Sequence, residues 1–146
     1  MRALRSMLPM LALGLALATG PAAAAGDDAL YRAWGGKPGL AAVMDDFVQR
    51  LKRDARTAAF FRETNAQHLA AQLTEQLCQL AGGPCVYDGP SMREAHAELG
   101  VTRADFLALV ELLQDAMDAH AVPWPAQRSM LARLAPMHRD IVAPAP

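Results

Sequence analysis

The chain has 146 residues, 53% hydrophobic and 20% charged, which suffices for one buried core and is too little for two. Its 14 basic and 15 acidic side chains nearly cancel, to a net charge of −1. No basic excess is available to neutralise phosphates, so nucleic acid is not expected as a partner.

Residues 1–25 read as an export signal. Arg2 and Arg5 give a basic start, an apolar run follows from Met7 to Ala18, and Ala23, Ala24 and Ala25 supply the small residues of a cleavage site. A membrane-spanning helix needs about 20 apolar residues, more than this run offers. Cleavage near Ala25 leaves 26–146 as a single domain, expected to be periplasmic or secreted. Contact with a membrane is expected only if the segment stays uncleaved. Arg2 and Arg5 are not adjacent, which argues against a twin-arginine signal. Without them, 12 basic face 15 acidic residues, a net charge of about −3.

Beyond the leader, apolar residues recur with helical period and no alternating strand pattern competes, so the expected class is all-α. A short helical turn is predicted from Leu30 to Trp34. Gly35 and Gly36 interrupt it, and Pro38 suits the opening of a second helix. Leu40, Val43, Met44, Phe47, Val48 and Leu51 then form an apolar stripe at i, i+3, i+4, i+7, i+8 and i+11. Asn65 is placed to cap a third helix with the stripe Leu69, Leu73, Leu77 and Leu80, ended by Gly82, Gly83 and Pro84. Ser91 and Glu94 form a capping box opening a short helix with Met92, Ala95, His96 and Leu99, closed by Gly100. Thr102 and Asp105 repeat that signal for a long helix with Phe106, Leu109, Val110, Leu113 and Met117 inward. Pro123, Trp124 and Pro125 make a corner, and a last helix through Met130, Leu134 and Ile141 restarts or kinks near Pro136. Helices of these lengths suit either a four-helix bundle or a globin-like sandwich.

Cys78 and Cys85 are the two cysteines. In an oxidising compartment an even pair at this spacing is expected to form a disulfide rather than a redox or metal site. The C-x-x-C-H pattern of covalent haem attachment is absent.

A string of segments carries more specific information. LYRAWGG at 30–36, DDF at 45–47, FF at 60–61, TN at 64–65, GGP at 82–84, YDG at 87–89, MREAHAELGVT at 92–102, and AP with RDIV near the end resemble the group I truncated haemoglobins. The resemblance spans about Ala29 to Val142 and is strongest in MREAHAELGVT followed by Asp105 and Phe106. It implies a truncated globin, a two-over-two helical sandwich, holding one haem b.

His96 matches the proximal ligand of that family. Haem iron in a globin takes a neutral imidazole whose second ring nitrogen is held by a hydrogen bond. His68 reads as solvated or at the pocket rim, and His120 and His138 as surface residues. On the distal side this chain departs from the family. The family commonly has a tyrosine immediately after the phenylalanine matching Phe47, and its hydroxyl donates to the gas ligand; here that position is Val48. Two positions that often carry a polar residue match Leu69 and Leu73. The resemblance therefore implies an apolar pocket of Phe47, Val48, Phe61, Leu69, Leu73 and Leu77. Gln72 and Gln76 are the polar residues within reach, though their ordinary reading is solvent-facing. Tyr87 resembles the family tyrosine near a haem carboxylate, with Arg93 as a cation beside it. Met92, Leu99, Val101 and Phe106 are expected to pack on the haem face.

The function these features imply is binding of diatomic gases, namely oxygen, nitric oxide and carbon monoxide. A haem enzyme, either a nitric oxide dioxygenase with an unidentified reductase or a peroxidase-like protein, is the alternative. Peroxide chemistry wants a distal acid or base that the pocket lacks. A periplasmic electron-transfer haem protein stays open through His68.

Overall fold

The structure, a computed structural model, describes residues 28–143. The leader read over residues 1–25 lies outside them. The described residues form helices α1 (Ala29–Ala33), α2 (Gly36–Arg53), α3 (Ala66–Leu80), α4 (Met92–His96), α5 (Arg103–Ala119), α6 (Trp124–Leu134) and α7 (His138–Ile141). Short 3-10 turns occupy Ala58–Phe61 and Ala135–Met137, and no strand occurs among the described residues. The domain is all-α, as its periodicity predicts.

All six members of the α2 stripe, Leu40 through Leu51, are buried. They pack α2 against α3 on one side and α5 on the other. Burying each such side chain contributes roughly 1.5–3 kcal/mol, which makes α2 the spine of the fold. Thr57, itself buried, donates its hydroxyl to Leu51 O at 2.8 Å, and Lys52 Nζ reaches Thr64 O at 2.6 Å. These two bonds fold the chain back after α2 and set the turn that carries Phe60 and Phe61. Asn65 then caps α3, its side chain accepting from the His68 amide at 3.0 Å.

Helix α3 presents two inward faces. Ala70, Thr74, Leu77 and Cys78 are buried in the core, while Leu69, Leu73 and Leu80 are only half-buried. Of the predicted leucine stripe only Leu77 is fully buried, while Leu69, Leu73 and Leu80 pack at the edge of the core. Smaller side chains take the contact with α2, where backbones approach closely, and these three leucines are left to a second face beside it.

The corner after α5 is fixed by Gln127, whose buried amide donates to Asp118 Oδ1 at 2.8 Å and to Val122 O at 2.9 Å. At Pro136 the last helix restarts, as its fixed φ and missing N–H predict. The resulting α7 packs against α4. A disulfide joins Cys78 to Cys85 with 5.7 Å between Cα atoms, as expected from the pair.

Candidate functional site

The second face of α3 borders a cavity of about 810 Å³. That lies within the range of about 300–1,000 Å³ common for cofactor sites. Its walls come from α2, α3 and α5, closed by the Ala58–Phe61 turn, by residues 87–90, by α4 and by the chain from Leu131 to Ile141.

His96 lines this cavity, half-buried at the end of α4. The short helix is set by its capping box: Ser91 accepts from the Glu94 amide, and the Glu94 carboxylate accepts from both the Ser91 amide (2.9 Å) and hydroxyl (2.7 Å). Those bonds, the hydroxyl's first, hold the Glu94 carboxyl below its ordinary value of 4.5. One turn back along α4, the Met92 carbonyl lies 2.7 Å from His96 Nδ1. A carbonyl only accepts, so Nδ1 carries the proton and Nε2 the lone pair. Among the described residues no group of three or more His, Cys, Asp or Glu could enclose a metal ion. His96 Nε2 is thus left able to serve as a single ligand to a metal.

Phe47, Phe61, Leu69, Leu73, Leu77, Met92 and Phe106 line the cavity with His96, and so does Leu99. Gln72 and Gln76 line it as well, which corrects their solvent-facing reading. Gln76 is 7% exposed, and its amide nitrogen meets only the sulfurs of Met92 at 3.6 Å and Met137 at 3.9 Å. Gln72 Oε1 is buried without a hydrogen-bond partner. Orphaned polar atoms of this kind cost about 1–3 kcal/mol, and they fit a cavity shaped for an occupant larger than its own side chains. His68 lines the cavity from an exposed position on α3, at the rim as expected.

Three predicted residues stand elsewhere. Val48 is wholly buried in the helix core and does not line the cavity, because it projects about 100° round α2 from Phe47. Val101 is buried between α4 and α5, where its carbonyl accepts from Ala143 at 2.9 Å. Arg93 points outward, its side chain 77% exposed, and pairs with Asp140 of α7 at 2.5 Å. Tyr87 does line the cavity, but its hydroxyl donates to Pro90 O at 2.8 Å. Burial, and then the Asp88 carboxylate, push that phenol above its ordinary value of 10.0, so it stays protonated. Of the two remaining histidines, His138 is half-buried rather than on the surface, edge-on to Phe106 with centroids 4.8 Å apart.

Other lining residues escaped the sequence reading. Met44 and Leu51 lie three residues before and four after Phe47, so helical period alone points to them. Met137 and Ile141 have no such local signal, since they reach the cavity by the packing of α7 on α4.

The bacterial-like globin family matches residues 29–143. A group 1 truncated hemoglobin from Mycolicibacterium paratuberculosis is 30% identical over 112 residues, covering 77% of this chain and 82% of that protein. A group 1 truncated hemoglobin from Tetrahymena pyriformis is 33% identical over 84 residues, 58% of this chain and 69% of that one. The solved truncated hemoglobin of Tetrahymena pyriformis, in its Fe(III) form, superposes with a TM-score of 0.74 at 26% identity, over 79% of this chain and 98% of that chain. A truncated hemoglobin from Chlamydomonas reinhardtii gives 0.67 at 26% identity, over 80% and 96%.

Proposed function

The chain belongs to the bacterial-like globin family, and from that premise we propose that its cavity holds haem b on His96 and binds diatomic gases beneath a largely apolar ceiling. A haem supplies the iron that takes oxygen, nitric oxide or carbon monoxide. The chain supplies the rest. Met92 O fixes the His96 tautomer, the hydrogen bond on the far ring nitrogen that metal-binding imidazoles favour. Phe47, Phe61, Leu69 and Leu73 keep water from the ligand side. The observation that carries the reading is His96 Nδ1 held at 2.7 Å on a capped helix beside an apolar cavity of about 810 Å³.

His96→Ala tests it. The variant is expected to lose stoichiometric haem binding, and added imidazole is expected to restore the ferrous carbon monoxide spectrum. A wild-type spectrum without imidazole would assign the ligand to another residue.

His68 at the rim of the same cavity supports a second reading, an electron-transfer protein in which it would supply a second protein ligand to the iron. A six-coordinate ferrous spectrum that turns five-coordinate in His68→Leu would favour it. We read residues 1–25 as the export signal of a periplasmic or secreted protein. The disulfide supports this, because such bonds persist mainly in oxidising compartments.

A further inference from the structure

Residues 85–90 form an irregular strap leading from the disulfide to α4, and they close one side of the cavity through Tyr87, Asp88, Gly89 and Pro90. Little holds the strap. Among the described residues no backbone–backbone hydrogen bond joins residues 84–90 to another segment. Its attachments to α3 are the Cys78–Cys85 bond, one hydrogen bond from the Tyr87 amide to Gln79 Oε1 at 2.6 Å, and contact at Gly89. A Cβ on Gly89 would fall 2.6 Å from Gln72 Oε1 and 2.5 Å from Tyr87 Oη. The anchor end is equally tight, since a Cβ on Gly83 would fall 2.7 Å from Cys78 Sγ. The Gln79 bond is exposed to water, where a single hydrogen bond holds weakly.

We infer that the Cys78–Cys85 disulfide is a redox-sensitive clamp on the cavity wall, and that its reduction frees the strap and loosens the cavity's hold on haem. The haem half of this statement rests on the function proposed above; the strap half does not. Cys78 is wholly buried while Cys85 is half-buried, so a reducing dithiol attacks at Cys85 Sγ. Its thiolate forms a mixed disulfide there as the Cys78–Cys85 bond breaks, and Cys78 leaves as a thiolate that takes up a proton. The reductant's second thiol then displaces Cys85, and the reductant departs as its own disulfide. Two electrons and two protons pass to the protein. The strap is left tied to α3 through Gln79 and the Gly89 contact, and His96 follows directly behind it on a five-residue helix.

Hydrogen exchange on the mature chain, oxidised and after dithiothreitol with thiol release confirmed by titration, tests the strap with or without haem. The Tyr87 amide, which the Gln79 side chain holds, is expected to exchange at least tenfold faster after reduction, with α2 and α5 unchanged. Haem transfer to a high-affinity acceptor protein is expected to quicken at least fivefold. Cys85→Ser should show the fast values whether or not reductant is present. Complete thiol release with less than twofold change at the Tyr87 amide would overturn the clamp. So would equal acceleration in α2 and α5, which would make the bond a staple of the whole fold. Loosening of the strap with unchanged haem transfer would overturn its role in holding haem. Failure to bind haem at all, with fast strap exchange, would overturn the proposed function and leave the clamp standing.

Discussion

Leu73→Gln puts the apolar ceiling to its sharpest test. Leu73 lines the cavity one turn after Leu69 on α3, and glutamine has nearly its length with an N–H donor at the end. Oxygen held on a ferrous haem carries partial negative charge, whereas carbon monoxide carries little. A hydrogen bond to such a charged acceptor contributes about 1.5–3 kcal/mol. At about 1.4 kcal/mol per decade, oxygen dissociation should slow by roughly 10- to 150-fold. Carbon monoxide dissociation should change less than threefold. Before ligand binds, the new amide sits in the same apolar surroundings that leave Gln76 poorly satisfied, which favours the bonded state further. Stopped-flow displacement measures both rates on the reconstituted protein. Equal slowing of both gases would mean steric caging rather than hydrogen bonding. If oxygen already leaves the wild type as slowly as it leaves the variant, and Gln72→Leu or Gln76→Leu speeds it tenfold, then a native glutamine is the donor and the apolar reading fails.

Gln76→Leu should stabilise the haem-free chain by about 1 kcal/mol, because its buried amide meets only weak sulfur acceptors; a thermal midpoint about 4 °C higher would agree, and a lower one would reveal a stronger partner. The Glu94 carboxyl is held low in the folded state, so its capping contribution is present above about pH 4.5 and is lost as pH falls through the lowered value. Amide protection in α4 should therefore drop on acidification, and Glu94→Gln should flatten that dependence. Amino-terminal sequencing of protein exported by its own leader should begin at or near Gly26, and an intact Met1 would refute cleavage.

Helix starts, both capping boxes and the disulfide were legible because each is written in residues close along the chain, whereas α4 stops at His96 rather than running on through Leu99 to Gly100. Ser91 with Glu94 and Thr102 with Asp105 form the predicted reciprocal bonds. The faces of α3 were not legible. Its leucines outscore its alanine and threonine in hydrophobicity, yet Ala70 and Thr74 take the buried contact while Leu69 and Leu73 face the cavity. Size decided the matter: close helix packing on α2 favours small side chains. Glutamines at 72 and 76 read as solvated because no local signal reveals a cavity whose walls come from elements far apart along the chain. Position 48 failed for a related reason. Its match to a ligand-facing family position comes from order along the chain, but Val48 points into the core beside Met44 and Phe47.

Arg93, expected beside a haem carboxylate, instead ties α4 to α7 through Asp140, and that tie bears on how the site is held together. A five-residue helix is far below the length that is stable alone in water, so α4 depends on what surrounds it. Its supports are the capping box, the exposed Arg93–Asp140 pair and packing on α7. An exposed ion pair contributes at most about 1 kcal/mol. The element carrying His96 is therefore not self-sufficient, and an occupant bonded to His96 would be among its strongest supports. Folding and occupancy are then linked: an occupant at 1,000 times its dissociation constant adds about 4 kcal/mol to stability. That gain should appear first in α4 and the strap, and last in α2, whose six buried side chains need no occupant.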